Sequence, residues 1–325
     1  MWNLATIAIS FNATSSKQDL QKMQRRTSLA VLAGLTGISL TSLSSALAAP
    51  LLQSLKPSTR MPVLFVGHGS PMNAIEDNNW RRSWQSLGVE LLARAERPQL
   101  ILCISAHWLT RGGWQLTGMA QPRTIHDFGG FPKALFDQQY PAPGAPDVAR
   151  SLSKELRSPA NSGTLGVDES EWGLDHGTWS TLKPMFPKAD IPVVQLSMDY
   201  DRSPAEHYAL GQQLQKLRDR GVLIVGSGNI VHNLRATRRG AGQQEAYDWA
   251  SEFDTVVQDQ IKKGQLGALA DFQKLGQVAR LSHPTHEHYL PLLYAAGAAR
   301  ATEMPRFFNT GFQSASISMR SVVWG

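Results

Sequence analysis

Cysteine is almost absent from this chain: its 325 residues include one, Cys103. No intrachain disulfide can form, and a zinc site built on several thiolates is excluded. Any metal must be held by His, Asp or Glu. Also absent are the Gly-x-Ser-x-Gly elbow of serine hydrolases, the Gly-x-x-x-x-Gly-Lys phosphate loop and the Gly-x-Gly-x-x-Gly dinucleotide fingerprint. Serine hydrolysis and nucleotide cofactors therefore have no sequence support. The His-Glu-x-x-His pair of a zinc protease is missing too. No basic run with interleaved aromatics occurs, so nucleic acid is not an expected partner. The net charge of +6 does not alter this. Lys17, Lys22, Arg25 and Arg26 against Asp19 place +3 on residues 1–48, which leaves only +3 on residues 49–325. No repeat or Pro/Ser-rich linker divides the body, and 42% hydrophobic residues suffice for a sizeable core.

The N-terminal segment reads as an address. Met23-Gln24-Arg25-Arg26 opens a modest apolar stretch that ends in Ala46-Leu47-Ala48. A basic start, an apolar middle and an Ala-x-Ala end define a secretory signal, and the paired arginines resemble a twin-arginine signal. The expectation is a signal peptide over residues 1–48, with Met23 as an alternative translation start, and a periplasmic protein. Ser, Thr and Gly interrupt the apolar stretch, so stable membrane insertion is the weaker reading.

From Arg60 onward, apolar β-type runs alternate with helical periodicity. Strands are expected at Val63–Val66, Leu100–Ile104, Ile191–Met198, Val222–Val225 and Ala315–Val323. Helices are expected at Trp80–Ala95, Pro146–Arg157, Pro204–Arg220, Gln243–Lys263 and His286–Ala299. This alternation implies an α/β fold: a single domain over residues 60–325 whose central, mostly parallel β-sheet is flanked by helices on both faces. The segment Pro122–Gly144, rich in Gly, Pro and aromatics, breaks the alternation. A loop of that length is uncommon unless functional, and it reads as an aromatic lid or substrate wall.

Histidine carries the chemistry. His68, in Gly67-His68-Gly69-Ser70-Pro71, and His107, in Ser105-Ala106-His107-Trp108, each follow a β run, and His232 lies a few residues past another. Strand ends are where open α/β sheets bind ligands, and imidazole is the commonest metal ligand. A mononuclear metal site is the first reading; a hydrogen-bonded structural role is the alternative for each histidine alone. Of His283, His286 and His288, one or two can be ligands and the others face solvent; His207 reads as a surface residue. His176 and His126, each beside an aspartate, are the acid–base candidates. Whether Asp175 or Asp127 orients its neighbour is not decided by adjacency. Cys103 falls inside an apolar strand and reads as a small buried hydrophobe. Arg235, Arg238 and Arg239 could neutralise a substrate carboxylate, although three arginines near a helix end are the usual composition of a solvated face.

In this order, the stretches Pro62–Asn78, Ser105–Trp108, Ile125–Pro132, Tyr140–Gly144, Trp172–Trp179, Ser227–Leu234 and Pro284–Gly297 resemble the 4,5-DOPA dioxygenase family of class III extradiol ring-cleaving dioxygenases. The resemblance covers roughly residues 60–325, and long words such as His126-Asp127-Phe128-Gly129-Gly130-Phe131-Pro132 make it specific. It implies a non-haem metal, Fe(II) for turnover or Zn(II), held by His68, His107, His232 and His288, with His176 as the acid–base or substrate-contacting residue. More distant relatives use two His and one carboxylate. That scheme would make Glu287 a ligand and His232 the acid–base group. The implied substrates are O2 and a catechol of the DOPA type, its ring sandwiched by Phe128 and Phe131. Two other readings keep the scaffold: a hydrolase using zinc-activated water, and a non-catalytic metal-binding protein.

Overall fold

Four runs of small and β-branched apolar residues form the centre of the sheet. The computed structural model describes residues 55–325, so the expected signal peptide lies outside the described residues. Strands β1 (Val63–Gly67), β2 (Leu100–Thr110), β3 (Gln115–Thr117), β4 (Gly166–Asp168), β5 (Val193–Asp199), β6 (Val222–Gly228), β7 (Pro305–Phe308) and β10 (Ser321–Trp324) join in the order β4-β3-β5-β2-β6-β1-β10-β7. A two-residue hairpin pair, β8 (Phe312–Gln313) and β9 (Ile317–Ser318), stands apart. Strands β5, β2, β6 and β1 are mutually parallel. Antiparallel pairing begins at β3 on one margin and at β10 and β7 on the other.

Successive side chains of a strand point to opposite faces, and here they enter two cores. Val63, Phe65, Leu102, Ile104 and Ile224 join one cluster, whereas Leu64, Val66, Ile101, Cys103 and Val225 join the other. Cys103 is buried, as expected. The first face is covered by α3 (Pro146–Glu155), α5 (Pro204–Gln213), α6 (Asp248–Lys262), α7 (Gln277–Ser282) and α8 (Leu290–Ala298). The second is covered by α1 (Asn79–Leu92) and α4 (His176–Met185), with the short α2 (Lys133–Phe136) beside them. Helices therefore lie on both faces of one mostly parallel sheet. Among the described residues no helix is long and apolar enough to cross a membrane.

The differences from the sequence expectations have local causes. Pro204–Arg220 is one helix only to Gln213, after which Leu214–Arg220 winds as a 3-10 helix that ends on left-handed Gly221. Ala315–Val323 splits between β9 and β10. The order of the sheet also places β6 between β1 and β2. His68 and His107 thus approach each other across the end of β6.

Candidate metal centre

Backbone geometry brings the imidazoles together at the carboxyl ends of the parallel strands. His68 leaves β1 between Gly67, where a Cβ would press on the Met319 backbone, and Gly69, whose φ of +56° suits glycine. His107 lies within β2, where the register against β5 slips between Ile104 and Leu109 and re-aims the side chain. His176 is the first residue of α4, capped by Asp175, whose side chain accepts the Thr178 N–H. His232 follows β6, and His288 precedes α8.

These five rings line one cleft of about 620 Å3. The centroids of His68, His107 and His288 form a near-equilateral triangle, with sides of 5.1, 5.2 and 5.0 Å. His176 lies 3.8 Å from His107 between centroids. His232 stacks on His288 at 3.4 Å with the rings 7° from parallel. Nitrogens of His68, His107 and His176 fall within 4.8 Å of one another, and a second such trio comprises His232, His288 and a Glu287 oxygen.

Four of the five rings have an outer polar partner. The Ser227 hydroxyl donates to the Gly177 carbonyl at 2.6 Å, so its oxygen accepts from His68 Nδ1 at 3.0 Å. Asp127 Oδ2 accepts from His176 Nδ1 at 2.9 Å and stands 3.3 Å from His107 Nδ1, while its Oδ1 accepts the His176 N–H at 2.9 Å. Glu287 Oε1 stands 3.0 Å from His288 Nδ1. The outer nitrogens of His68, His176 and His288 are thereby assigned their protons, the Asp127 charge favours a proton on His107 Nδ1, and each Nε2 then keeps a lone pair. Yet His68 Nε2 and His107 Nε2 are only 3.3 Å apart. Two lone pairs at that distance repel unless a cation lies between them. Two nitrogens bound at 2.0–2.1 Å to one tetrahedral ion are separated by about 3.3–3.4 Å. Outer partners that fix the tautomer of each ligand are the usual companions of metal-bound histidine. The donor set and its spacing fit a divalent metal.

Charge balance agrees. Burial, then repulsion from His107 and its neighbours, holds His68 well below the usual imidazole range; burial, then His176, does the same to His107. Burial and His232 likewise depress His288, and burial followed by His176 lowers His232 to about 4. Burial alone would raise Asp127, but hydrogen bonds from His176 and the nearby imidazoles bring it down to about 2. Near neutral pH His68, His107, His232 and His288 are therefore uncharged beside the ionised carboxylate of Asp127.

Residues 62–323 match the family described as the catalytic LigB subunit of aromatic ring-opening dioxygenase. The chain belongs to the LigB family. A 4,5-DOPA dioxygenase extradiol of Escherichia coli K12 is 47% identical over 274 residues, covering 82% of this chain and 96% of the relative. The protein of the same name from Beta vulgaris is 37% identical over 236 residues, covering 72% and 85%. A dioxygenase of Hapsidospora irregularis is 32% identical over 289 residues, covering 82% and 87%. Among solved structures, an uncharacterised protein of Escherichia coli K12 superposes with a TM-score of 0.69 at 41% identity, covering 82% of this chain and all of the other.

In this LigB-family chain the cleft gathers His68, His107, His176, His232, His288, Phe128 and Phe131. His126 is not among its lining residues: its Nε2–H donates to the Gln138 carbonyl at 2.9 Å, and its ring packs against Phe128 and Trp179. His126 thus stands outside the cleft lining, away from the acid–base position expected of it, and braces the wall that carries Phe128. Phe128 meets Phe131 edge-on at 5.4 Å and His176 at 5.5 Å. Two surface expectations are overturned as well. His207 is buried, with Nδ1 2.7 Å from the Tyr294 hydroxyl, and His283 is buried, donating from Nε2 to the Ile230 carbonyl at 2.6 Å.

Asp127, rather than Asp175, proves to be the orienting aspartate; Asp175 is taken up by the α4 cap, Gln195 and Trp172. Ser227 went unnoticed in the sequence as an orienter, because only the sheet register shows that it faces His68. Glu287 does not line the cleft; its oxygen is engaged by His288 and by the Thr285 hydroxyl.

Proposed function

We propose that this protein is an extradiol dioxygenase that opens the ring of a catechol with O2, using one Fe(II) ion. The observation that carries the reading is the pair of Nε2 atoms, on His68 and His107, 3.3 Å apart, with His68 Nδ1 bonded to Ser227 and His107 Nδ1 beside the Asp127 carboxylate. His68, His107 and His288 would hold the ion, with His232 beside them as a fourth ligand or an acid–base group. Glu287 then serves as the outer partner of His288 and not as a carboxylate ligand. When bound, Fe(II) supplies a Lewis acid with open positions for catechol oxygens and for O2.

The chain's own residues do the rest. Asp127, ionised and accepting from His176 Nδ1, leaves His176 Nε2 as a base toward the cleft, able to take a catechol hydroxyl proton and return it later. The same carboxylate stabilises the imidazolium that forms. Phe128 and Phe131 give the ring an apolar wall and exclude water. Anaerobic reconstitution with Fe(II) or Zn(II), followed by O2 uptake on a catechol panel, tests this. Oxygen consumption with a yellow ring-opened product, dependent on Fe(II), is expected. Turnover without oxygen, sustained by zinc, would establish the hydrolase instead. Full metal loading without turnover on any catechol or ester would establish a binding protein.

The residues 23–50 pattern supports export by the twin-arginine route. Replacing Arg25 and Arg26 together by lysine should retain the protein in the cytoplasm on cell fractionation. Unchanged export of that variant would refute the route.

A further inference from the structure

The cleft is larger than its proposed ring substrate requires. Pockets of roughly 300–1,000 Å3 enclose drug-sized ligands, and at about 620 Å3 this one leaves room beyond a bare catechol for a side chain. What that side chain meets can be read from the lining. The five imidazoles and Asp127 form the floor, committed to one another. Away from them, the cleft is bordered by neutral residues such as Thr237, Gln313 and Ser314, one acid, Glu76, and one strong base, Arg239.

Three arginines lie close together in the segment after His232, and the structure separates them. Arg238 pairs with Glu245 at 2.9 Å and stacks over the Tyr247 ring. Neither Arg235 nor Arg238 lines the cleft. Arg239 does, and among the described residues no carboxylate lies within ion-pair distance of its guanidinium. It is followed by Gly240 at φ +77°, a left-handed turn that ends the segment. A guanidinium presents a planar fork of donors matched to a carboxylate. Near the cleft mouth such a group costs little desolvation in the free protein and gains a partner only when a ligand supplies one.

We propose that Arg239 selects catechols whose side chain carries a carboxylate, by receiving that carboxylate at the cleft mouth while the diol faces the imidazoles. The proposal rests on the catechol reading given above and adds the residue that reads the side-chain carboxylate. Arg239 here is a specificity determinant, remote from the reacting atoms.

The test uses the full chain reconstituted with Fe(II), two ligands and four proteins. The ligands are dihydroxyphenylpropionate, which carries the carboxylate, and ethylcatechol, which lacks it. The proteins are wild type, Arg239→Ala, Arg239→Lys and Arg238→Ala. Steady-state O2 uptake gives kcat/KM, and anaerobic calorimetry gives Kd without turnover. Wild type should prefer the carboxylated catechol in both readouts. Arg239→Ala should lose about tenfold on that ligand, equivalent to ~1.4 kcal/mol, mainly in KM and Kd, and little on ethylcatechol. Arg239→Lys should recover part of the preference, because a point charge replaces the fork. Arg238→Ala should keep the wild-type preference.

A wild type indifferent to the carboxylate, a preference that survives Arg239→Ala, or equal losses on both ligands would each overturn the proposal. The two readings fail separately. Ring opening of both catechols at equal efficiency leaves the dioxygenase and refutes the role of Arg239. Carboxylate-dependent binding that vanishes in Arg239→Ala, with neither catechol opened, leaves Arg239 and refutes the dioxygenase.

Discussion

Replacing Asp127 by asparagine removes a single charge from the node that ties two imidazoles together. Its Oδ2 accepts from His176 Nδ1 at 2.9 Å and lies 3.3 Å from His107 Nδ1; its Oδ1 accepts the His176 N–H at 2.9 Å. Asparagine keeps the shape but has one acceptor oxygen, so an NH2 group must face either the His176 N–H or the ring nitrogens. A hydrogen bond to a charged group contributes ~1.5–3 kcal/mol, and the carboxylate is partly exposed, so the low end applies. On the His107 side, where the contact is an ion pair at 3.3 Å rather than an aligned hydrogen bond, metal affinity should fall about tenfold, the low end of the 10–100-fold typical of an outer ligand partner. Turnover should fall further, because the His176 tautomer that leaves Nε2 free is no longer enforced. Competition against a chromophoric chelator gives the affinity, and O2 uptake at saturating Fe(II) gives the remaining rate. Near-wild-type values for both in a folded Asp127→Asn protein would refute the tautomer assignment.

His126→Ala should behave in the opposite way. It should bind metal as the wild type does, because His126 lies outside the cleft lining, and lose ~1 kcal/mol of stability with its bond to Gln138; loss of metal on titration would restore His126 to the site. Stability of the metal-free protein should fall on acidification. His232 is lowered to about 4 and His283 to about 3 in the folded chain, mainly by burial, so the unfolded chain takes up their protons first. That stability is fully present above about pH 6.5 and is lost as pH falls toward about 4, with His232 alone accounting for on the order of 3 kcal/mol. Denaturant midpoints measured across that range would contradict this if they rose toward acid.

The central strands were legible because a parallel strand buried on both faces reads as an unbroken apolar run. Leu100–Ile104 and Val222–Val225 are such runs, and both are found within β2 and β6. Helix α4 was not legible. All its residues but Lys183 are buried, so it shows no polar face to set a 3.6-residue stripe, and Gly177 and Pro184 argue locally against a helix. The three-residue strands β3 and β4 are too short to show any alternation.

At the site, the ligand types and the strand ends were readable, and their partners were not. Asp127 sits next to His126 in the chain but serves His176, 49 residues away. Ser227 reaches His68 across 159 residues. His207 and His283 illustrate the same limit from the other side. Each looked polar enough for the surface, but Tyr294 and the Ile230 carbonyl give them buried partners that no local pattern discloses.

Titration of Fe(II) into anaerobic wild type, His68→Ala and His107→Ala, read as ions bound per chain, bears most directly on a centre shared between β1 and β2. One tightly bound ion in wild type and loss of tight binding in both folded variants is the expected result. A variant that still binds one ion with wild-type affinity would contradict it.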